Sequence, residues 1–547
     1  MSSEEESRFN AAIERILTSA SRKKLIVAGP GTGKTYLFAK LLQTAPGDQH
    51  SRLVLTFINN LKDDLSEQLS GLAGVYTLHA YCQRLLHGDP KVRGRLSAGF
   101  RVLPGLASLI KDDWRYLRGA EPPEFVALMR DLQDGEESSF YLERGDYYDA
   151  VDFDDSVYRV FRAVNGGAAG VGTYDLVLID EYQDFNRLEA SVVDALGGRS
   201  PIVIAGDDDQ ALFGQLRGAS WDFIRSLRDG GAFDVFELPF CLRCPEVIVG
   251  AVNDVVARAR AIRRLSGRIE KPFSPYGPAT ADASRRYPAI TVAACSVQSR
   301  KANYFGQFIE EAIAAIPAAE QEEARGARDP LVLVIASNPY RGQVVEYLDA
   351  HGFSVDTRRD KRAALERAQG IDILSEAPDA NLGWRIVLEF EPSGFAAAQI
   401  KAAAQQHAAL VEVLPTDYRQ RVLDEVRTWT GAREREAGQP HGENQAVRDQ
   451  ADSLKVTSFE GAKGLSAFHV FIVGMHDGEL PRDPAEIQDI EICRFIVGLT
   501  RARRHCSLLY TGRFGGDGRT PSAFLSWIKP QRLERVRVDA SHWREPR

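Results

Sequence analysis

Short hydrophobic runs alternate with amphipathic segments along the first 85 residues. Residues 7–20 carry apolar side chains at helical spacing, and residues 24–28 (KLIVA) are apolar enough for a short buried strand that ends in a glycine-rich loop. Residues 52–57 form a second strand-like run, and residues 61–69 again have helical spacing. This alternation is typical of a parallel sheet covered by helices on both faces.

The pattern changes between residues 86 and 150. Aromatic and charged residues mix there without regular alternation, and prolines stand at positions 104, 122 and 123. Strand-like runs return at residues 176–179 and 202–205. We therefore predict a mostly helical insertion that splits the first α/β unit.

A glycine pair at 230–231 precedes a second series of elements. The strand-like runs are residues 235–238, 331–335, 454–458, 470–473 and 506–510. The other predicted elements are a helix at 245–260, a loop at 276–288, helices within 366–450 with a polar stretch at 431–450, and a closing helix after 512. The predicted fold class is α/β with two units, each interrupted by a mostly helical insertion. The boundaries are residues 1–85 and 155–230 for the first unit, 231–365 and 451–547 for the second, and 86–154 and 366–450 for the insertions.

Composition narrows the class of protein. The 547 residues include 68 Lys and Arg against 76 Asp and Glu, for a formal net charge of −8, which excludes a polycationic nucleic-acid coat but not a local basic groove. No apolar run approaches the ~18 residues of a membrane span, and the acidic start has no signal-peptide core. Six cysteines in so long a chain do not form a disulfide framework. We expect a cytoplasmic protein with reduced thiols and no membrane partner.

Residues 28–35 (AGPGTGKT) follow the first predicted strand and open a helix. They match the phosphate-binding loop GxxxxGK followed by Ser or Thr, except that Ala occupies the first position. Glycines let backbone N–H groups approach phosphates, Lys34 reaches the β and γ oxygens, and the Thr35 hydroxyl binds Mg²⁺. The alternative, a plain glycine-rich turn, is disfavoured by the Lys-Thr pair in register. The predicted nucleotide ligands are Gly29, Pro30, Gly31, Thr32, Gly33, Lys34 and Thr35.

A second segment supplies carboxylates. Residues 176–181 (LVLIDE) are an apolar strand that ends in Asp180 and Glu181. Beside a phosphate-binding loop, Asp180 would hold Mg²⁺ and Glu181 would orient and deprotonate the attacking water. An exposed acidic strand end is the alternative for this segment taken alone. Together the two segments predict an ATPase or a GTPase.

Further segments narrow the type of nucleotide hydrolase. Residues 180–184 read DEYQD and residues 206–210 read GDDDQ; Arg243 in CLRC, residues 462–465 (AKGL) and residues 497–502 (VGLTRA) follow. In this order they resemble the motifs of UvrD/Rep/PcrA-like superfamily 1 helicases, from residue 28 to about residue 510. The resemblance implies two RecA-like P-loop motor domains that close on one ATP, and 3′→5′ movement on single-stranded DNA.

The resemblance also implies roles for single residues. Gln210 would sense the γ-phosphate, and Arg243 and Arg501 would be arginine fingers from the second motor domain. Lys463 and Gly464 would line the nucleotide. The DNA-contacting residues would be Phe57, Asn59, Thr77, His79, Phe213 and Arg217. From the residues alone, Phe57 is equally a candidate core side chain and His79 a helix-start residue.

Several positions depart from the family pattern. Ile13 stands where the family has a Gln that reads adenine, and Leu242 stands where an aromatic side chain stacks on adenine. The Trp of the third motif is absent from residues 214–217 (GQLR), and in the fifth motif the usual His and Glu are Glu460 and Ser466. The hydrolytic residues are intact, whereas the choice between ATP and GTP stays open.

The insertion at 366–450 is short for this family. A translocase that depends on a partner for duplex opening or loading is the hypothesis that follows, in DNA repair or in anti-phage defence. The compact insertion also resembles the helicase-like subunits of anti-phage systems such as Gabija, which act with a nuclease subunit. The expected partners are single-stranded DNA or a tailed duplex, and a protein such as a nuclease subunit. The alternative is a nucleotide-controlled regulatory subunit that binds DNA and a partner without processive unwinding.

Three further clusters have competing interpretations. Cys241 and Cys244 form a CxxC pair, but no second ligand pair lies nearby in the sequence, which favours structural thiols. The acidic segment at 152–155 is a candidate metal site or a packed helix start. The basic run at 358–362 is a candidate strand path or a solvated face.

Overall fold

The computed structural model describes residues 2–57, 59–168, 170–327, 329–357, 365–437 and 454–542. Its strands are β1 (Lys23–Ala28), β2 (Arg52–Thr56), β3 (Gly74–Thr77), β4 (Arg101–Val102), β5 (Ala150–Val151), β6 (Leu176–Ile179), β7 (Ile202–Gly206), β8 (Asp234–Leu238), β9 (Phe240–Cys241), β10 (Ser274–Pro275), β11 (Ile290–Cys295), β12 (Val332–Ala336), β13 (Leu454–Thr457), β14 (Ala467–Val473), β15 (Ala502–Thr511), β16 (Arg513–Phe514), β17 (Asp517–Gly518) and β18 (Leu533–Val538).

The helices of the first half surround the first sheet and fill the predicted first insertion. They are α1 (Ser2–Thr18), α2 (Lys34–Thr44), α3 (Asn59–Gln68), α4 (Leu78–Gly88), α5 (Pro90–Arg93), α6 (Leu106–Arg118), α7 (Phe125–Arg130), α8 (Glu136–Tyr148), α9 (Phe153–Asn165), α10 (Arg187–Gly197), α11 (Gly214–Arg217) and α12 (Asp222–Asp229).

The helices of the second half are α13 (Glu246–Ala261), α14 (Gly277–Arg286), α15 (Tyr304–Ala314), α16 (Ala318–Arg325), α17 (Asn338–Ala350), α18 (Arg367–Glu376), α19 (Asn381–Glu389), α20 (Ser393–Gln406), α21 (Leu410–Val413), α22 (Thr416–Ala437) and α23 (Asp489–Leu499). Short 3₁₀ turns cover Tyr182–Asp184, Asp208–Gln210, Ala523–Ser526 and Pro530–Arg532. No helix among the described residues is long and apolar enough to cross a membrane.

Two six-stranded sheets organise the chain, in the orders β3-β2-β6-β7-β1-β8 and β13-β12-β14-β15-β11-β18. Every pairing within these two sheets is parallel. Their central strands are buried along nearly their whole length, which is why they appear in the sequence as continuous apolar runs. The predicted α/β class with two RecA-like sheets is confirmed.

Three predicted elements are wrong. The sequence pattern predicts that residues 235–238 belong to the second unit, which begins at 231. In the structure, β8 instead pairs in parallel with β1 and extends the first sheet, and Leu238 is buried in the core beneath α2. Residues 276–288 contain α14 rather than a loop, because Pro278 lies in the first turn of the helix, where a proline removes no helical hydrogen bond. The segment after 512 forms β16, β17 and β18 rather than a closing helix, and β18 pairs with β11.

The two predicted helical insertions share one hydrophobic core. Trp384 and Ile400 of the second insertion are buried in the same cluster as Ile110 and Tyr148 of the first. At the centre of this contact, Arg385 Nε donates to Asp113 Oδ1 at 2.8 Å, and both side chains are fully buried. Arg144 approaches the same carboxylate at 2.7 Å. The insertions therefore pack as one helical body, a contact that their separation in the sequence conceals.

The buried pair of Arg385 and Asp113 provides a test of this shared core. Removing one partner of a buried ion pair costs about 3–5 kcal/mol, because the remaining charge is left without its counterion. We expect Arg385→Met to lower the free energy of unfolding by at most this amount, because Asp113 keeps Arg144 as a second cation at 2.7 Å. The measurement is denaturant unfolding of the full chain, followed by fluorescence.

The matched control is Arg427→Met, which removes an exposed arginine that pairs with Asp424 three residues away on α22. An exposed pair of this kind contributes at most about 1 kcal/mol. Equal stability of the two variants would show that the two insertions are not held together by the buried pair.

Candidate functional site

The phosphate-binding loop connects β1 to α2 at the carboxyl edge of the first sheet. Gly31 and Gly33 have φ values of 68° and 86°, in the left-handed region that glycine adopts without strain. The Thr32 hydroxyl donates to the Gly29 carbonyl at 2.9 Å and closes the loop. Gly33 caps α2 without a side-chain hydrogen bond, so the first N–H groups of the helix suit an anion.

The predicted carboxylates lie at the end of β6, on the same edge as the loop. The Lys34 ammonium is 3.0 Å from Glu181 Oε1. Burial disfavours the charge on Glu181, but Lys34 and Lys463 outweigh it and lower the pKa of this carboxyl. Burial and the neighbouring charge of Glu181 raise the pKa of Asp180. The arrangement holds Glu181 ionised, as a proton acceptor requires.

Glu181 has an unusual backbone conformation for a residue with a side chain. Its φ is 53°, in the left-handed region. The next three residues form the 3₁₀ turn Tyr182–Asp184, so the chain leaves β6 sharply and keeps the Glu181 side chain at the sheet edge. Strain of this kind concentrates at functional positions, where the surrounding contacts impose it.

Gln210 links the two sheets. Its side-chain amide donates to Asp207 Oδ2 at 2.7 Å, and its carbonyl oxygen accepts from Arg501 Nη2 at 3.1 Å. Arg501 immediately precedes β15 of the second sheet and is buried; burial first, and then Arg243, lower its pKa to about 9, so it stays charged at neutral pH. The predicted sensor and one predicted finger are thus in direct contact.

Arg243 lies against the phosphate-binding loop. A Cβ added at Gly31 would stand 2.6 Å from the Arg243 Cβ, so only glycine fits there. The neighbouring Leu242 N–H donates to the Gly31 carbonyl at 2.8 Å. The structure therefore gathers Lys34, Glu181, Gln210, Arg243 and Arg501 around one loop.

Lys463 crosses from the second half of the chain to the acidic turn after β6. Its ammonium lies 2.5 Å from Asp184 Oδ2 and 3.8 Å from Glu181 Oε2, and it donates to the main-chain carbonyl oxygen of Gln210. Gly464 beside it has a φ of 82°, which explains the glycine that follows the lysine. The structure thus places Lys463 on protein carboxylates at the edge of the predicted nucleotide site.

Two residues of this network, Gln183 and Asp184, were not predicted from the sequence as site residues. The Gln183 amide donates to Glu181 Oε2 at 2.6 Å, and its carbonyl oxygen accepts from the Asp207 N–H at 3.0 Å. Gln183 therefore ties the predicted base to the turn that carries Gln210. Asp184 is the buried counterion of Lys463. Both residues belong to the DEYQD motif, which was their signal in the sequence.

Thr35 and Asp180 are the residues that would hold Mg²⁺. Thr35 is in the first turn of α2 and Asp180 directly follows β6, two strands away from β1 in the sheet order. A hydroxyl and a carboxylate are hard oxygen ligands of the kind that Mg²⁺ prefers, so this donor set fits the ion. The raised pKa of Asp180 is consistent with a carboxylate that a cation would stabilise.

The residues predicted to contact DNA fall into two groups. Phe57 is buried, its ring centroid is 5.2 Å from that of Phe213, and the Arg217 guanidinium lies 4.5 Å above it. Arg217 Nη2 is 3.1 Å from His79 Nε2, and burial first, then Arg217, lower the pKa of His79 to about 3. We call Phe57, Phe213, Arg217 and His79 the aromatic–arginine cluster.

Thr77 is separate from this cluster, because its hydroxyl accepts from the Ala80 N–H and caps α4. The side chain of Asn59 lies outside the described residues, as does the basic run at 358–362. Ile13, at the position of the family's adenine-reading Gln, is a core residue of α1.

The other candidate clusters have structural partners. Cys241 Sγ accepts from the Cys244 N–H at 3.3 Å, and both thiols are buried. In the acidic segment, Asp154 pairs with Arg130 and Asp155 with Arg159, each at 2.8 Å. These contacts agree with the packing interpretation of both clusters.

Comparison with known proteins gives consistent matches. The family described as an AAA domain matches residues 10–214, from α1 to just past Gln210. The ATP-dependent DNA helicase UvrD2 of Mycobacterium tuberculosis (strain H37Rv) is 25% identical over 92% of this chain and 79% of its own length. The ATP-dependent DNA helicase PcrA of Staphylococcus aureus (strain NCTC 8325) is 25% identical over 42% of this chain and 37% of its own length. The motif order, the two parallel sheets and these similarities together show that the chain is similar to UvrD/PcrA-like superfamily 1 DNA helicases.

Proposed function

We propose that the chain hydrolyses ATP between its two sheets and uses the resulting movement to translocate 3′→5′ along single-stranded DNA. The observation that carries the proposal is the meeting of Lys34, Glu181 and Gln210 with Arg243 and Arg501. A site built from both halves of the chain closes when nucleotide binds and reopens after hydrolysis, which couples chemistry to motion.

Each residue has a role in the proposed mechanism. Lys34 and the N–H groups at the start of α2 bind the phosphates, and Glu181 takes a proton from the attacking water. Gln210, Arg243 and Arg501 stabilise the charge on the transferring phosphoryl group. When bound by Thr35 and Asp180, Mg²⁺ would neutralise charge on the β and γ oxygens.

The aromatic–arginine cluster is the proposed contact with DNA in the first half of the chain. Phe213 is three residues after Gln210, so a change at the γ-phosphate sensor acts on the cluster through a very short segment. An aromatic pair beside a guanidinium provides a stacking surface and a cation for a single strand. Because Phe57 and His79 are buried, the proposal requires the cluster to open when DNA binds.

The short second insertion supports a setting with a protein partner, such as a nuclease subunit, in DNA repair or anti-phage defence. The alternative is a regulatory subunit that binds nucleotide and DNA without moving. The burial of Phe57 and His79 favours this alternative, whereas the complete set of hydrolytic residues opposes it.

The first test is nucleotide hydrolysis by the purified chain. We expect single-stranded oligo-dT to stimulate ATP hydrolysis and Lys34→Ala to reduce the rate at least ~100-fold, because the variant loses the cation that binds the β and γ oxygens. The measurement is phosphate release with and without oligo-dT and duplex DNA. Parallel reactions with GTP measure the base preference. DNA-stimulated hydrolysis by Lys34→Ala would contradict the assignment of the site.

A second test addresses the proposed arginine finger. We expect Arg243→Ala to lower kcat about 100-fold or more while the affinity for ATP changes only several-fold, because its charge acts on the transferring phosphoryl group. Single-turnover hydrolysis and equilibrium ATP binding separate the two effects. Arg260→Ala is the control, since that arginine on α13 is exposed and pairs with Glu270. Equal effects of the two substitutions would exclude Arg243 as a finger.

A third test separates the motor from the regulatory alternative. A 3′→5′ translocase displaces streptavidin from the 5′ end of a biotinylated single strand much faster than from the 3′ end, and only while it hydrolyses ATP. We expect this asymmetry for the wild-type chain. The same rate at both ends, or none above the rate without ATP, would favour the regulatory subunit.

A further inference from the structure

The turn that carries Gln210 begins with three consecutive aspartates, all buried. Asp207, Asp208 and Asp209 follow β7, and one carboxylate oxygen from each lies within 4.8 Å of those of the other two. Three buried carboxylates so close together are unfavourable unless cations neutralise them. The cations come from a segment distant in the sequence, residues 262–273 between α13 and β10, which we call the basic strap.

Lys271 of the basic strap occupies the centre of the three aspartates. Its ammonium is 2.7 Å from Asp207 Oδ1, 3.0 Å from Asp208 Oδ1 and 2.8 Å from Asp209 Oδ2. Its side chain is 3% exposed. The ammonium therefore fills the position that a metal ion would take among these oxygens. The three aspartates bind a lysine side chain rather than a metal ion.

Other contacts fix the remaining carboxylate oxygens. Arg268 of the strap donates two hydrogen bonds of 2.7 Å to Asp209. Asp208 accepts from Arg225 of α12 at 3.0 Å and from the Ile269 N–H at 2.9 Å. Asp208 and Asp209 thus have arginine partners besides Lys271, whereas the cation that pairs with Asp207 is Lys271.

Asp207 connects Lys271 to the hydrolytic residues. Its second oxygen, Oδ2, accepts from the Gln210 amide at 2.7 Å, and its N–H donates to Gln183, which in turn donates to Glu181. In this orientation of the Gln210 side chain, its carbonyl oxygen accepts a hydrogen bond from Arg501. A single carboxylate thus orients the side chain that is predicted to meet the γ-phosphate.

The turn is also enclosed by elements of the second core. The basic strap follows α13, whose apolar residues belong to that core, and the Leu265 N–H donates to Asp489 at the start of α23. The Cys493 thiol of α23 faces the Asp208 carbonyl at 3.9 Å. The 207–210 turn therefore belongs to the first sheet by sequence but is held by the second half of the chain.

We propose that Lys271 is a positioning residue, which holds the Asp207 carboxylate in the orientation that presents Gln210 to the γ-phosphate. Lys271 acts only through Asp207 and does not touch nucleotide. This inference rests on the proposed ATP hydrolysis. Without the ammonium, the Asp207 carboxylate turns away from its two aspartate neighbours, and Gln210 loses the acceptor that fixes its amide. Lys271 also transmits movement of the basic strap to the sensor.

The test is Lys271→Met, which keeps the length of the side chain and removes its charge. Affinities for ADP and for ADP with beryllium fluoride, a mimic of the γ-phosphate, are measured together with kcat and KM. We expect the affinity for ADP to change less than about twofold, and the affinity for the mimic and kcat each to fall about 10–100-fold, the usual effect of losing an outer-shell partner. Lys271→Arg keeps a cation and is expected to recover part of both losses.

Arg385→Met is the matched control, because it removes a buried cation of the helical insertions and leaves the 207–210 turn untouched. We expect it to lower stability without changing the ratio of the two affinities. Suppose that the wild-type chain is active and that Lys271→Met keeps both the wild-type kcat and the wild-type ratio of the two affinities. This result would overturn the inference about Lys271 and leave the proposed function standing. Equal weakening of ADP and of the mimic would also overturn it, since that result indicates general damage.

Two further outcomes, an unfolded Lys271→Met variant and an inactive wild-type chain, are interpreted separately. If Lys271→Met does not fold, the neutral variant Lys271→Gln decides: a reduced ratio supports the inference, and a wild-type ratio with wild-type kcat assigns Lys271 a structural role and overturns it. A wild-type chain that neither hydrolyses ATP nor prefers the mimic to ADP would refute the proposed function, and this inference with it.

Discussion

Buried carboxylates at the carboxyl edge of the first sheet impose the constraint on which the site depends. Glu181, Asp184 and Asp207 are all shielded from water, and a buried charge without a counterion is strongly unfavourable. Their cations come from three distant segments: Lys34 from the phosphate-binding loop, Lys463 from the second half of the chain, and Lys271 from the basic strap. Charge compensation at this edge therefore requires the two sheets to be correctly placed relative to each other.

In the proposed mechanism, the same interactions make the site sensitive to nucleotide. A phosphate group brings new negative charge to Lys34, which already neutralises Glu181. Arg243 and Arg501 lie beside the loop and the sensor, where they can meet that charge. Rearrangement of a few ion pairs then alters the contact between the sheets, because each pair joins segments from different parts of the fold.

Charge pairing also joins the two helical insertions. Arg385 and Asp113 are fully buried beside the apolar core that the two insertions share. The first and second insertions pack together, so in this structure the second insertion is attached to the first as well as to its own sheet. The two buried ion-pair systems thus differ in their surroundings: one lies at the edge of the proposed nucleotide site, and the other lies in the shared core of the insertions.

The sequence by itself determined the local chemistry of this protein. Glycines with lysine and threonine in fixed register specify a phosphate-binding loop, continuous apolar runs specify buried parallel strands, and acidic residues at strand ends specify where the chemistry occurs, since all these signals are local. The tertiary structure alone decided which strand joins which sheet, as for β8, and which cation meets which carboxylate, as for Lys271, 64 positions beyond Asp207 in the sequence. Local patterns carry no record of such pairings, because charge compensation acts through space and the partner of a buried aspartate is set by packing.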